Sequence, residues 1–331
     1  MTTARTILVG IYSPFASWNI PDSHVAHLRD LFPQHTFLHA TSEHQALELI
    51  ARAQVAFMSE VRPEQFRAAP ALDWIHSPAA GVGGMLFPAL VESAVVMTNS
   101  RGISAGTIAE HVLAVTLVLF RKLRMAFRAQ SAVEWAQDAI LLPPPLRTIA
   151  GSRVLVIGLG AIGTATAQAM SALGARVDAV RRASSRPKPP FVDTLARPEQ
   201  LVELLARAEV VVVAAPQTRE TRGLIGTREL AAMRPDAILV NVSRGRLVDE
   251  AALARALADG GIGAAALDVF EQEPLPKDSP LWSMDNVLIT PHMAGFRPDH
   301  WDAVVDLFSE NLRRFDAGQE LLNVVDKRAG Y

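Results

Sequence analysis

Short apolar runs recur along the chain and alternate with longer segments whose apolar residues have helical spacing. The runs have the length of strands and include Thr6–Ile11, Val55–Met58, Trp74–His76, Val154–Ile157, Val210–Val213, Ala237–Val240 and Val287–Ile289. Strands that are covered on both faces are apolar throughout, so the pattern predicts parallel sheets between layers of helices. Helical segments such as Pro198–Ala208 and Glu250–Ala258 separate the runs. This βαβ alternation predicts an α/β fold.

Prolines interrupt the pattern at two places. The run Pro143–Pro145 cannot continue a helix, so it separates a long helical pattern over residues 105–129 from a new strand at Val154. The proline-rich segment Ser184–Pro190 is a predicted loop. The 331 residues of the chain are enough for about two domains.

The composition excludes several classes of protein and site. Half of the residues are apolar and 20% are charged, which excludes intrinsic disorder. The absence of cysteine excludes disulfides, thiolate metal sites and a cysteine nucleophile, and the histidine spacing fits no metal motif, so we expect no metal site. A net charge of −2 provides no basic field for nucleic acid or an anionic membrane.

The sequence also lacks the signals of a membrane or exported protein. Its longest apolar stretch, Val112–Phe120, is far shorter than the roughly 20 residues of a membrane-spanning helix. The segment Arg5–Tyr12 lacks the apolar core and cleavage site of a signal peptide. We therefore expect a soluble, cytoplasmic protein with neither a nucleic acid nor a membrane as its partner.

A glycine turn joins the strand at Val154 to the helical pattern over residues 164–173. The turn has the form G-x-G-x-x-G, in which the first glycine permits a tight turn and the second lets the main chain approach a pyrophosphate. The third lets the helix pack closely on the strand, and the helix N-terminus offers N–H groups to the anion. The motif predicts a dinucleotide site with contacts from Gly158, Gly160, Ala161, Ile162 and Gly163.

The next strand, Ala175–Val180, is followed by basic side chains at the place where an NAD enzyme usually has an aspartate or glutamate. These side chains, with a serine among them, are Arg181, Arg182, Ser184, Arg186 and Lys188. A guanidinium binds a 2′-phosphate through charge-assisted hydrogen bonds, whereas an acid would repel it. Asp178 lies in mid-strand, too early to reach the ribose. The segment therefore predicts that NADP(H) is preferred over NAD(H), with Arg181, Arg182 and Ser184 as ligands; a solvated basic loop is the alternative interpretation.

Three further apolar runs end in residues that are suited to catalysis. They lead into Arg244, the acidic segment Asp268–Glu273, and His292. Open α/β folds bind ligands at the carboxyl ends of their strands, so we expect these side chains at one edge of a sheet.

The order and spacing of these segments along the chain resemble those of the D-2-hydroxyacid dehydrogenase family. The similar motifs cover nearly the whole chain and are the glycine turn, Thr98–His111, Asn241–Gly245, Ala266–Leu275 and Thr290–Gly295. The C-terminal residues Leu321–Tyr331 are similar to the glyoxylate/hydroxypyruvate reductase branch. The chain departs from the family at Gly83, where an aspartate is more usual.

The resemblance implies an active site of Arg244, Glu273 and His292. Arg244 would bind the carboxylate of a 2-oxo acid and polarise its ketone. His292 would donate a proton to the alkoxide that forms when hydride arrives from the nicotinamide. Glu273 would hydrogen-bond the other imidazole nitrogen and hold the ring in place.

The resemblance implies supporting residues as well. The main-chain N–H groups of Ala80 and Gly81 would bind the substrate carboxylate, and Arg297 would line the substrate pocket. Besides the glycine turn and the basic segment, cofactor contacts are expected from Thr107, Pro216, Val242, Ser243, Asp268, His292 and Gly295.

The implied architecture has two Rossmann-like domains with parallel sheets and a cleft between them. A flavodoxin-like, substrate-binding domain would comprise residues 1–102 and 291–331, and an NAD(P)-binding domain residues 103–290. Family members pair through the long helix, which implies a homodimer formed by residues 105–129 and the arm that continues to residue 150.

The expected activity is NADPH-dependent reduction of a small 2-oxo acid, glyoxylate or hydroxypyruvate first, to the D-2-hydroxy acid. One alternative is an NAD-dependent relative of the phosphoglycerate or D-lactate type. Another is a non-catalytic regulator that senses nucleotides, which an intact Arg244, Glu273 and His292 argues against.

Overall fold

The computed structural model describes residues 4–182 and 187–331, so the predicted cofactor residue Ser184 lies outside the described residues. The chain divides into two compact units, Met1–Ile103 with Arg297–Tyr331, and Ser104–Phe296. The first unit is thus built from both ends of the chain. Residues 291–296, which the sequence assigned to the first unit, belong to the second, because the N–H groups of Met293 and Ala294 bind the carboxylate of Asp268.

The first unit contains a five-stranded parallel sheet. Its strands are β1 (Thr6–Gly10), β2 (Thr36–His39), β3 (Val55–Met58), β4 (Trp74–Ser77) and β5 (Val96–Asn99), in the order β2-β1-β3-β4-β5. The helices between them are α1 (Asp22–Leu31), α2 (Glu43–Ile50), α3 (Pro63–Arg67) and α4 (Pro88–Glu92). This order is that of flavodoxin-like folds, so the predicted class is confirmed for this unit.

The second unit contains a seven-stranded parallel sheet in the order β12-β11-β10-β9-β6-β7-β8. The strands are β6 (Arg153–Ile157), β7 (Arg176–Val180), β8 (Thr194–Ala196), β9 (Val210–Val213), β10 (Ile238–Asn241), β11 (Ala264–Leu267) and β12 (Val287–Ile289). The helices are α5 (Ala105–Phe120), α6 (Leu123–Ser131), α7 (Gln137–Leu141), α8 (Ala161–Ala172), α9 (Leu201–Leu205), α10 (Thr227–Ala232) and α11 (Glu250–Ala258). The strand order reverses between β6 and β9, which is where open α/β sheets bind ligands.

Both faces of the second sheet are buried, as its uninterrupted apolar runs predict. In β6, Leu155 and Ile157 pack into one core cluster, whereas Val154 and Val156 pack into the cluster on the other side. The predicted apolar runs did not include β2, β5 and β8, which are edge strands with positions that are not fully buried. Among the described residues, no helix has both the length and the apolar character that crossing a membrane requires.

The helical pattern over residues 105–129 is not a single helix. α5 ends at Phe120, and Lys122 adopts a left-handed conformation with a φ of 52° before α6 begins. The carbonyl of Phe120 accepts a hydrogen bond from the N–H of Arg147 at 3.0 Å. In a continuous helix, the same carbonyl would accept from the N–H of residue 124 in the next turn. The Lys122 ammonium donates to the carbonyls of Ile140 and Leu142. Apolar spacing alone does not reveal this break.

The C-terminal helix α12 (His300–Asp316) completes the core of the first unit. Its Phe308 stacks on Phe57 of β3 at a centroid distance of 4.2 Å and on Trp74 of β4 at 5.3 Å. The chain then continues along β5, where the N–H of Val325 donates to the carbonyl of Met97. These contacts explain why both ends of the chain are needed for one unit.

His76 lies at the centre of this unit and is fully buried. Its ring contacts Phe57, Trp74 and Phe308, and none of these neighbours carries a charge that would stabilise an imidazolium. Burial accordingly lowers the pKa of His76 to about 3 from an ordinary value of 6.5. The folded protein therefore holds this histidine in its neutral form.

This burial predicts a loss of stability in acid. Between pH 6.5 and about 3, the unfolded chain binds a proton at His76 that the folded protein does not, so the free energy of unfolding falls as pH falls. The slope approaches about 1.4 kcal/mol per pH unit well below pH 6.5. Urea unfolding of the wild type and His76→Gln from pH 7 to 5 measures it, because other groups cancel in the difference. A difference in stability that does not change with pH would contradict a neutral His76.

Candidate active site

The structure brings His292 and Glu273 into direct contact. Nδ1 of His292 lies 2.6 Å from Oε2 of Glu273, and the two side chains remain 40% and 35% exposed. The other carboxylate oxygen of Glu273 accepts a hydrogen bond from the N–H of Phe270 at 3.0 Å. The carboxylate is thus held by its own loop while it binds the imidazole, so the ring is oriented by a fixed acceptor.

Opposing effects act on the carboxyl group of Glu273. Partial burial raises its pKa, but the hydrogen bonds from His292 and from the N–H of Phe270 lower it, as do the charges of His292 and Arg244. The net result is a pKa below the ordinary value. Glu273 therefore stays ionised near neutral pH and is an acceptor for Nδ1 of His292.

The position of His292 depends on Asp268, which follows β11 and is 2% exposed. Its carboxylate accepts hydrogen bonds from the hydroxyl of Thr290 at 2.6 Å and from the N–H groups of Met293 and Ala294 at 2.9 and 3.0 Å. Its carbonyl accepts from the N–H of His292 at 2.9 Å. Asp268, predicted as a cofactor residue, thus holds the segment on both sides of the histidine.

The backbone of His292 is strained. Its φ of 51° lies in the left-handed region that side-chain-bearing residues seldom adopt. Strain of this kind persists where the surroundings impose it, and here the bonds to Asp268 do so. Thr290 has a further partner, because its hydroxyl lies 3.3 Å from Nε2 of His111 on α5. Since the Thr290 hydroxyl donates its proton to Asp268, its oxygen accepts a hydrogen bond from Nε2 of His111.

Arg244 is presented by a turn that Asn241 closes. The side-chain amide of Asn241 donates to the carbonyl of Arg244 at 3.1 Å, and its Oδ1 accepts from the N–H of Ser243 at 3.2 Å. The Ser243 hydroxyl donates to the carbonyl of Ala215 beyond β9. Burial lowers the pKa of the Arg244 guanidinium, and the nearby Glu273 opposes that shift. The arginine is therefore a partly desolvated cation next to the acid of the His–Glu pair.

Gly245 brings the Arg244 turn against the Glu273 loop. A Cβ at this position would lie 1.8 Å from the main-chain carbon of Phe270 and 2.2 Å from the nitrogen of Glu271. No side chain fits there, so the two loops touch through their backbones. This contact brings Arg244 and Glu273 to the same edge of the sheet.

The three glycines of the turn after β6 have different environments. Gly158 has a φ of 96°, and a Cβ there would lie 2.6 Å from the backbone of Ala215. A Cβ on Gly163 would lie 1.8 Å from the carbonyl oxygen of Gly158. A Cβ on Gly160, the residue before the first turn of α8, would meet no described atom within 4 Å, so the backbone there borders open space.

This arrangement fits the pyrophosphate of a dinucleotide. The N–H groups at the start of α8, from Ala161 and Ile162 onward, have no acceptor within the helix, and the helix dipole favours an anion there. Gly160 leaves them accessible to a bound phosphate. The donors, the open space and the location where the strand order reverses all agree with the predicted cofactor site.

The basic residues after β7 lie at the same edge of the sheet. The Arg181 guanidinium donates to the carbonyl of Pro187 at 3.3 Å, and Arg182 is exposed. The pKa of Glu220 is below its ordinary value, mainly because Thr218 donates a hydrogen bond to it, with a contribution from the charge of Arg182. Arg182 therefore lies near the loop that follows β9, on the other side of the switch point.

Asp178, by contrast, is part of the sheet. Its side chain is 2% exposed and pairs with Arg153 at 3.2 Å and Arg207 at 3.0 Å. A buried carboxylate needs such partners. It therefore belongs to the packing of β7 and is not a ribose ligand.

The other predicted residues occupy several positions. Thr107 is in the first turn of α5, and Gly295 packs beside Ser104 at the start of that helix. Pro216 and Val242 follow β9 and β10, at the ligand-binding edge. In the first unit, Ala80 and Gly81 are exposed in the turn after β4, and Arg297 pairs with Asp299 and donates to the carbonyl of Ile103. The roles of these residues remain predictions.

Residue patterns did not reveal the residues that support the site. Asn241, Gly245, Thr290 and His111 all fall within the motifs, but each acts through a neighbour in space. For Asn241 and Gly245 a local signal exists, since they flank Arg244 in a short turn after a strand. The contact between His111 and Thr290 joins residues far apart in the chain and has no such signal.

Comparison with known proteins gives a consistent result. The family model for the D-isomer specific 2-hydroxyacid dehydrogenase NAD binding domain matches residues 113–294. A glyoxylate reductase of Korarchaeum cryptofilum is 32% identical over 267 residues, which are 80% of this chain and 79% of that protein.

Two solved structures resemble the whole chain. One is a D-isomer specific 2-hydroxyacid dehydrogenase from Xanthobacter autotrophicus in complex with NADPH, with 33% identity, a TM-score of 0.82 and 99% coverage of both chains. The other is an NADPH-dependent glyoxylate/hydroxypyruvate reductase from Sinorhizobium meliloti with NADP and sulfate. It has 26% identity and a TM-score of 0.84, and the match covers 99% of this chain and 100% of that one.

Substitutions in the glycine turn separate folding from cofactor binding. Gly163→Ala places a Cβ against the carbonyl of Gly158, so we expect a lower melting temperature. Gly160→Ala meets no described atom, so we expect an unchanged melting temperature but weaker binding of NADPH, measured by fluorescence titration. Equal NADPH affinity in Gly160→Ala and the wild type would contradict a pyrophosphate at this turn.

Proposed function

We propose that this chain, which belongs to the D-isomer specific 2-hydroxyacid dehydrogenase family, reduces a small 2-oxo acid to the D-2-hydroxy acid with NADPH. Membership makes it an NAD(P)-dependent oxidoreductase. The observation that carries the proposed chemistry is the contact of 2.6 Å between His292 and Glu273, beside the partly buried Arg244. We further propose glyoxylate or hydroxypyruvate as substrates, which the names of the similar reductases support.

Each side chain has one task in the proposed reaction. The Arg244 guanidinium binds the substrate carboxylate and polarises the ketone, and its partial desolvation strengthens both interactions. The bound NADPH supplies the hydride. His292 protonates the oxygen that becomes the hydroxyl, and because its Nδ1 is bound to Glu273, the proton comes from Nε2. In the oxidative direction the same nitrogen accepts the proton.

The residues that would hold the cofactor are those of the switch point. The N–H groups at the start of α8 would bind the pyrophosphate, and Arg181 and Arg182 would bind the 2′-phosphate. These two arginines support a preference for NADP. Asp178 supports it as well, because its carboxylate pairs with Arg153 and Arg207 inside the sheet and no other acidic residue stands at the end of β7. Asp268 would contribute chiefly by holding the segment around His292.

We also propose a homodimer. The arm formed by α6, α7 and the residues around them exposes large apolar side chains to an unusual degree. They are between 53% and 94% exposed and comprise Phe127, Val133, Trp135, Leu141 and Leu142. Such a patch is typical of a surface that another chain covers.

Removal of the proton donor tests the mechanism. In His292→Gln we expect kcat for glyoxylate reduction to fall by about 10²–10⁴, the usual contribution of an acid–base group. NADPH binding should change little. His44→Gln is the matched control, because that side chain is 82% exposed in the other unit. An unchanged kcat in His292→Gln would rule out its role as proton donor.

Cofactor kinetics test the preference. We expect kcat/KM to be higher with NADPH than with NADH, and the double variant Arg181→Gln, Arg182→Gln to lose roughly tenfold or more with NADPH alone. Arg255→Gln removes an exposed arginine of the same unit, on α11, and serves as the control. A wild-type preference for NADH, or an equal loss with both cofactors, would contradict the assignment.

A further inference from the structure

The turn after β4 leaves main-chain N–H groups accessible to a ligand. Ala80 and Gly81 are exposed there, and within residues 4–182 and 187–331 their N–H groups make no hydrogen bond. The start of the turn, at Ala79, is held by hydrogen bonds. The N–H of Ala79 donates to the hydroxyl of Ser77, and the carbonyl of Ala79 accepts from the N–H of Ser100. Ala80 and Gly81 are therefore among the donors that this turn leaves for a ligand.

A chain of hydrogen bonds runs from the core to the base of this turn. The indole N–H of Trp74 donates to the hydroxyl of Thr98 at 2.8 Å, and that hydroxyl lies 2.7 Å from Nδ1 of His76. Nε2 of His76 lies 3.2 Å from the hydroxyl of Ser100, which donates to the carbonyl of Ser77 at 3.1 Å. All five residues are buried, so every bond in the chain lies out of solvent.

The direction of these bonds is determined. Because the Thr98 oxygen accepts from Trp74, its own proton points to Nδ1 of His76, which must accept. Nε2 then carries the ring proton and donates it to the hydroxyl oxygen of Ser100. The Ser100 hydroxyl in turn donates its own proton to the carbonyl of Ser77. Only a neutral His76 satisfies this pattern, and burial of the ring keeps its pKa near 3. If the hydrogen bond between His76 and either the Thr98 or the Ser100 hydroxyl ran in the opposite direction, a buried donor would be left unpaired.

A second link fixes the exposed end of the turn. The side-chain amide of Asn99 donates to the carbonyl of Ala80 at 2.6 Å. Its Oδ1 is in turn held by the N–H and guanidinium of Arg101. The carbonyl of Ala80 belongs to the same peptide unit as the N–H of Gly81, so this bond orients one of the two exposed donors.

We infer that His76, Thr98, Asn99 and Ser100 are positioning residues that set the orientation of the Ala80 and Gly81 N–H groups toward the carboxylate of the 2-oxo acid. The inference rests on the proposed function for the identity of the ligand. The positioning itself is a property of the first unit. These four residues touch no substrate; they act through the turn. Their loss should weaken substrate binding more than it slows the chemical step, because hydride and proton transfer use other groups.

The matched substitutions Thr98→Val and Thr116→Val test this inference. Both remove a fully buried hydroxyl at nearly constant shape, but the Thr116 hydroxyl donates only to the carbonyl of Val112 within α5. In Thr98→Val we expect KM for glyoxylate to rise about fivefold or more, with kcat and the KM for NADPH nearly unchanged. Thr116→Val should leave all three constants unaltered. Equal kinetics in the two variants, or a fall in kcat alone, would overturn the inference.

Conservative variants of His76 locate the effect within the chain. His76→Gln retains a donor at the position of Nε2 and can still bind Ser100, whereas His76→Asn retains only a group at the position of Nδ1. We therefore expect the rise in KM for glyoxylate to be smaller in His76→Gln than in His76→Asn. The reverse order would contradict the route through Ser100.

Hydrogen exchange on the ligand-free protein separates this inference from the proposed function. The amides of Ala79 and Ser100, which bond across the turn, should exchange faster in Thr98→Val and in Asn99→Ala than in the wild type, while those of β6 and β10 stay protected. This holds whether or not glyoxylate is a substrate. Unchanged exchange at both amides would refute the positioning role. Failure of the wild type to reduce any 2-oxo acid would refute the proposed function alone.

Discussion

The geometry of the candidate site depends on the buried carboxylate of Asp268. An ionised carboxylate that is removed from water is costly unless it is paired or fully hydrogen-bonded, and here it accepts three bonds from the segment Thr290–Ala294. Those bonds offset both the burial of the charge and the strained backbone of His292. Asp268 and Glu273 share one loop after β11, so the histidine and its acidic partner are both positioned relative to the end of the same strand.

Close backbone contacts then bring the other loops to this edge. Gly245 allows the Arg244 turn to lie against Phe270, and Gly158 allows the glycine turn after β6 to lie against Ala215. Ala215 also accepts the hydroxyl of Ser243, so the loops after β6, β9, β10 and β11 are linked in succession. Glycine is required at these positions because a Cβ would lie 1.8 Å from the backbone of Phe270 or 2.6 Å from that of Ala215, which is too close for the loops to keep their positions. The site is thus assembled by main-chain packing, to which the functional side chains are attached.

Much of this could be predicted from the sequence, and the limits have physical causes. The runs Val55–Met58 and Val210–Val213 were identified to the residue because strands buried on both faces are uniformly apolar. The candidate catalytic set Arg244, Glu273 and His292 was implied by the family resemblance, and each member lies in a loop that follows a strand. The sequence did not predict the helix break at Lys122, the unit to which residues 291–296 belong, or the hydrogen bonds of Asp268. Each of these depends on a partner far away in the chain. Periodicity records local packing and carries no information on such partners.

The two central histidines show how environment divides structural from chemical roles. Burial among aromatic rings favours the neutral form of His76, and both of its nitrogens have hydroxyl partners within the protein. His292 is partly exposed and has a carboxylate at 2.6 Å, so its charged form has a partner. A proton donor needs the second environment and a fixed hydrogen-bond network needs the first. Histidine therefore takes part in a buried hydrogen-bond network in one unit and forms an exposed pair with a carboxylate in the other, the environment that the proposed proton transfer needs.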